Sequence, residues 1–258
     1  MKKPVIIANW KLNGNKNLVV RFLDKLISFC ENNEISNIII ALPYVYLDMA
    51  VKLVTKYNKN YFNNFINIAA QNVDVNVSGS FTGEISVSML KDIGISHVII
   101  GHSERRMLHN ENCNYISKKF DIIKKNLLTP ILCIGETKKE NLLGLTKIVC
   151  KKQIDSIILN SGKKSFMNSI IAYEPIWAIG SGKTADIEQI QETHKFIKEY
   201  ILNVSSINKK MFSVLYGGSV NEKNSFRLIN SSYIDGLLVG KSSLDIDIFL
   251  KLLNNIKI

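Results

Sequence analysis

The chain is most constrained by a rhythm in which eight short apolar runs are separated by longer amphipathic stretches. The runs are Val5–Asn9, Asn37–Leu42, Ile66–Ala70, His97–Gly101, Ile131–Ile134, Ile170–Glu174, Met211–Tyr216 and Asp235–Val239. Each is nearly continuous in Val, Ile, Leu or Ala. That is the pattern of parallel strands covered on both faces. Between them, apolar residues recur at helical spacing. Phe22, Leu26 and Cys30 share one face, with Val19, Leu23 and Ile27 beside them, and Ile190, His194, Ile197 and Ile201 repeat the pattern later. Further helices are expected over Val45–Tyr57, Ile116–Asn126, Lys147–Leu159, Glu222–Ile229 and Ile246–Leu253. Asp186 is placed to cap the helix that carries Ile190. The connection from Gln71 to Leu90 predicts a long irregular start and only a short helix.

Eight such units in 258 residues predict an α/β fold, a (β/α)8 barrel, as one domain spanning 1–258. A doubly wound sheet is the alternative, and it needs a reversal of strand order that a sequence does not display. No stretch is rich enough in Pro, Gly or Ser to divide the chain.

Composition narrows the function classes. Hydrophobic residues make up 46% and charged ones 21%, a globular balance. No apolar run approaches the roughly 18 residues that span a bilayer, so no membrane partner is expected. Polar Asn9, Lys11 and Asn13 follow the start at once, so no leader is expected. Cys30, Cys113, Cys133 and Cys150 form no CxxC pair and are expected to be reduced thiols of a cytoplasmic protein. The net charge is +11, but the lysines are scattered. A solvated basic surface accounts for them better than a nucleic-acid groove, and no recognition helix or zinc motif is present.

In a barrel of this kind, chemistry gathers at the C-terminal ends of the strands. The unusual polar residues fall there. Asn9 and Lys11 end the first run, His102 the fourth and Glu174 the sixth; Gly217-Gly-Ser219 follows the seventh, and Gly240-Lys241 the eighth. Taken singly, each has an ordinary reading, as an exposed lysine, a packed histidine or a turn. Closure of the barrel would bring all of them to one mouth. In Gly101-His-Ser-Glu-Arg-Arg106, Ser103 and Glu104 read as the opening of a helical turn with free N–H groups, and one of these donating to His102 would disfavour the protonated ring. Glycine N–H groups at 217, 218 and 240, with Ser219, Lys241 and Gly180, would suit a phosphate dianion. After Glu174 come rigid Pro175, apolar Trp177 and then Gly180 and Gly182, the order of a base joined to a hinged lid. No Cys/His cluster has metal-ligand spacing, so no metal or other cofactor is expected.

These segments carry a resemblance. Ala8–Gly14, Ala70-Gln-Asn-Val73, Phe81-Thr-Gly-Glu84, Gly101–Arg106, Cys133-Ile-Gly-Glu136, Ala172–Ala185, Tyr216-Gly-Gly-Ser-Val220 and Asp235–Gly240 stand in the order and spacing of the triosephosphate isomerases, and the chain resembles that family from end to end. The resemblance implies a (β/α)8 TIM barrel that interconverts dihydroxyacetone phosphate and glyceraldehyde 3-phosphate. Glu174 would be the base and His102 the electrophile. The neutral imidazole in that role is the standard example set by this very family. Lys11 and Asn9 would bind substrate and balance enediolate charge. Gly180, Ser219, Gly240 and Lys241 would hold the phosphate, and Glu104 would pair with Lys11. A homodimer is also implied, with Thr82 of one copy near the partner's active site.

The chain departs from the family in places. Leu12 stands for a more usual Met, His109 for Phe and Lys241 for Gly. Asn141 and Lys198 stand where Arg is common, so two bidentate pairs are expected to be weaker or missing. Another sugar-phosphate isomerase on the same barrel, or a basic nucleic-acid module, are the competing readings.

Overall fold

A computed structural model describes residues 3–33, 37–58, 66–178 and 185–256. The strands are β1 (Val5–Asn9), β2 (Ile38–Leu42), β3 (Ile66–Ala70), β4 (His97–Ile100), β5 (Thr129–Ile134), β6 (Ser169–Tyr173), β7 (Phe212–Tyr216) and β8 (Gly236–Val239). They pair in chain order, and β8 closes on β1 to complete a parallel barrel. Ile6 stands opposite Ile38 on one side and Leu237 on the other.

The helices are α1 (Lys16–Asn33), α2 (Leu47–Asn58), α3 (Val87–Asp92), α4 (Ser103–Leu108), α5 (Cys113–Lys125), α6 (Lys138–Leu142), α7 (Thr146–Ser161), α8 (Ile187–Val204), α9 (Ser225–Ile229) and α10 (Ile246–Asn255). Asn112, Thr137, Asp186 and Asp245 cap four of them by accepting backbone N–H bonds. The connection after β3 has the long irregular start and short helix that its sequence predicts.

Two-residue alternation divides the strand side chains between two cores. Val5, Ile7, Ile39, Ala41, Ala69, Ile99, Ile131, Cys133, Ile170, Ala172, Leu215 and Leu238 pack inside the barrel. Ile6, Ala8, Ile38, Ile40, Ile100, Leu132, Val214 and their neighbours pack outward against the helices. Inside, bulky Ile39, Ile131 and Ile170 give way to Ala41, Cys133 and Ala172 nearer the C-terminal ends. The barrel therefore opens at that end. One further inward step along the strands leads from Ile7 to Asn9, Ala69 to Gln71, Ala172 to Glu174, Leu215 to Gly217 and Leu238 to Gly240. The rim is thus polar or side-chain-free where the core below is apolar.

Several boundaries differ from expectation. β5 begins at Thr129 and includes Pro130, paired with Val98; a proline in a parallel strand is concealed from sequence rules because its missing N–H argues against pairing. α9 starts only at Ser225, because Asn221 Oδ1 accepts the N–H groups of Lys223 and Asn224 and holds that stretch as a turn. Lys198 keeps an ion pair with Asp235 at 2.7 Å, and Asn141 donates to Glu136 Oε1 at 3.1 Å. Both contacts that an arginine would make twofold are present with a single donor.

Candidate active site

Asn9, Lys11, His102, Glu174, Gly217, Gly218, Ser219, Gly240 and Lys241 line one cavity of about 520 Å³ at the C-terminal mouth, with Trp10 and Asn13. Residues from the ends of five strands meet there.

Glu174 follows β6 and is 2% exposed. Its backbone is pinned by its own N–H donating to Ile134 O at 2.7 Å. The carboxylate Oε2 accepts the Ser103 N–H at 3.3 Å, and Oε1 lies 3.4 Å from His102 Nε2. The backbone beside it is tight. A Cβ on Gly135 would stand 1.9 Å from the Glu174 carbonyl oxygen, so only glycine fits there. Burial, with the Glu174 charge adding to it, pushes the neighbouring Cys133 thiol well up.

His102 caps α4. Its Nδ1 accepts the Glu104 N–H at 3.2 Å, so the lone pair of Nδ1 is in use. The ring proton then sits on Nε2 and points toward Glu174 and the cavity.

Lys11 has φ +53, a left-handed conformation uncommon for a residue with a side chain. Its N–H donates to Asn9 Oδ1 at 3.1 Å, and its ammonium donates to Glu104 Oε1 at 2.5 Å. With its side-chain oxygen turned to the Lys11 N–H, Asn9 has amide N–H₂ donors to offer a ligand. The two glycine loops are tied together, since Ser242 Oγ donates to Val220 O at 3.0 Å. Lys241 is exposed at the rim, on the first residue of a short 3-10 turn.

Thr82 and Glu104, both expected at the site, are not part of this cavity lining. Thr82 is exposed on the loop after β3, and Gly180, with the rest of the lid glycines, lies outside the described residues. One residue without an expected role stands at the base of that lid. Glu136 is fully buried and accepts from Tyr173 Oη at 3.1 Å, Trp177 Nε1 at 2.9 Å and Asn141 Nδ2 at 3.1 Å. Burial, with the Glu136 charge next, pushes the Tyr173 phenol far above its ordinary range. The signal in the sequence is parity: Ile134 packs in the outer core, and Glu136 continues that side two residues on. Among the described residues, no three His, Cys, Asp or Glu side chains are grouped to hold a metal ion.

The fold and this mouth define a class: a (β/α)8 barrel that presents a carboxylate, an imidazole and an amine beside glycine-rich loops. The family model described as triosephosphate isomerase matches residues 4–256, and the chain belongs to that family. It is 48% identical to the triosephosphate isomerase of Blochmanniella floridana over 255 residues, covering 98% of this chain and 96% of that protein. Identity to the one from Buchnera aphidicola subsp. Baizongia pistaciae is also 48%, over 258 residues and 99% and 100% of the two chains. The enzyme of Escherichia coli O1:K1 is 44% identical over 249 residues, 96% and 95% of the chains.

Proposed function

We infer that this chain interconverts dihydroxyacetone phosphate and D-glyceraldehyde 3-phosphate, a step of glycolysis and gluconeogenesis, and that Glu174, His102 and Lys11 carry the chemistry. The observation that supports it is the convergence of those three groups on one cavity with the glycine loops. Glu174 removes a proton from the carbon beside the carbonyl and returns it to the neighbouring carbon. His102 donates its Nε2 proton to the carbonyl oxygen as negative charge grows there, then takes the hydroxyl proton from the neighbouring oxygen, which becomes the new carbonyl. The Lys11 ammonium and the Asn9 amide balance the enediolate charge. Backbone N–H groups at Gly180, Ser219, Gly240 and Lys241 grip the phosphate, and Glu104 holds Lys11 in place. Gripping the dianion away from water suppresses its elimination from the enediolate.

The active form is a homodimer. Exposed Leu12, Val45, Val77 and Phe81, on the loops after β1, β2 and β3, support a surface that a second copy covers, with Thr82 set beside the partner's mouth. Buried, unpaired Cys30, Cys133 and Cys150 support a reducing, cytoplasmic setting. No helix among the described residues is long and apolar enough to cross a membrane.

A coupled assay on the purified protein tests the reading. Glu174→Gln lowers turnover by roughly 10²- to 10⁴-fold while binding of a phosphate-bearing inhibitor survives. Wild-type turnover no higher than that of Glu174→Gln, or a preference for larger sugar phosphates, overturns it.

A further inference from the structure

Gln71 sits just past β3, one inward step beyond Ala69, and is half-buried. Its side-chain Nε2 donates to two carbonyl oxygens at once, those of Lys11 and Ala41, each at 3.0 Å. A carboxamide nitrogen has two hydrogens, so both are used. Ala41 O also accepts the Trp10 N–H at 3.1 Å. The Gln71 side chain therefore ties the Lys11 carbonyl, just past β1, to the Ala41 carbonyl of β2, which also accepts the Trp10 N–H.

The backbone of Lys11 needs such a tie. At φ +53 its Cβ crowds the neighbouring carbonyl, and a residue other than glycine relaxes out of this region unless its surroundings hold it. Asn9 Oδ1 holds the N–H side, and Gln71 holds the carbonyl side. The remaining tether is the ammonium on Glu104, and both side chains of that pair are partly exposed, at 28% and 42%. A pair this wet orients a lysine weakly on its own. Gln71 is not among the residues that line the cavity, so any effect it has on the reaction passes through another residue.

We propose that Gln71 is a positioning residue: by clamping the Lys11 carbonyl to β2, it locks the left-handed backbone that aims the Lys11 ammonium into the active site. The inference rests on the role given to Lys11 above. Without the clamp, φ at residue 11 swings toward negative values and carries the amine off its line.

A double-mutant cycle on turnover of the triose phosphates tests it. Gln71→Met keeps the volume and removes both donors. In the wild-type background it lowers kcat/KM by roughly 10- to 100-fold, the scale of a misplacement near 1 Å. In a Lys11→Ala background, where no amine remains to be aimed, the same change costs less than about twofold. A residue that merely props up the barrel would cost its full factor in both backgrounds, and that outcome, or wild-type activity of Gln71→Met, overturns the proposal. Should Gln71→Met fail to fold, the cycle is run with Gln71→Asn, whose shorter arm reaches only one carbonyl; equal losses in the two backgrounds again overturn it. If Lys11→Ala alone leaves turnover unchanged, the role of Lys11 itself is wrong, a failure distinct from additivity of the two changes.

Discussion

The side chain of Glu174 rests against the backbone of Gly217 so closely that a Cβ there would come within 2.9 Å of Glu174 Cγ. The glycine after β7 thus sets the room for the Glu174 carboxylate as well as lining the cavity itself. Gly217→Ala displaces the carboxylate from the Nε2 of His102. We expect kcat/KM to fall by roughly 10- to 100-fold, with the thermal midpoint lowered only slightly. Normal activity in this variant would mean that the carboxylate has room that the geometry denies it.

Glu136 joins Tyr173, Trp177 and Asn141 through one buried carboxylate. Glu136→Ala leaves those donors facing a void. An unsatisfied buried donor costs about 1–3 kcal/mol; Tyr173 is buried and the other two donors are half-buried, so urea unfolding should show a loss of ~2 kcal/mol or more. Glu136→Gln keeps an acceptor and should lose less. An Ala variant as stable as the parent would show that the three donors find other partners.

His194 is fully buried on α8, with its ring 5.8 Å from that of Tyr173 and 6.4 Å from that of Tyr216. Burial, with the nearby Lys198 charge, pushes its pKa from 6.5 down to about 3. The unfolded chain therefore binds a proton at this residue between those values while the folded chain does not. Folding stability should decline as the pH drops from 6.5 toward 3, at a limiting ~1.4 kcal/mol per pH unit from this group. In urea titrations at pH 7 and pH 4.5, His194→Gln should show a smaller difference than the parent. An unchanged difference would mean that His194 takes up a proton within the fold.

Lys241 is exposed at the rim of the cavity. In the phosphate-binding role proposed above, its exposed charge would act on the dianion through a screened field. Lys241→Gln should raise KM by about threefold at 20 mM salt and by little at 0.5 M, with kcat unchanged. A KM ratio independent of salt would remove the electrostatic role.

Much of this was legible in the residues. The eight apolar runs place every strand within two residues, because strands buried on both faces leave an unbroken record of Val, Ile and Leu. The position of Asn9, His102 and Glu174 at strand ends is readable for the same reason, since a polar residue terminating an apolar run is conspicuous. Two short helices, α4 and α6, leave too few residues for a period to register. Strand parity assigns Gln71 and Glu136 to their faces but does not reveal their partners. Their importance lies in contacts to Lys11 and Trp177, which are 60 and 41 residues away in sequence. No local pattern encodes such a contact.

Ring closure also shapes how the chain reaches this state. The seam between β1 and β8 joins Val5 to Gly236, at nearly opposite ends of the polypeptide. Contacts of such long separation form late, because they demand the largest loss of chain freedom. Until the last strand docks, Val5–Asn9 and Phe212–Tyr216 each present an open edge rich in β-branched or aromatic residues. The finished molecule has no such edge in its sheet, so its exposure to edge-to-edge strand pairing is confined to the interval before the C-terminal strand arrives.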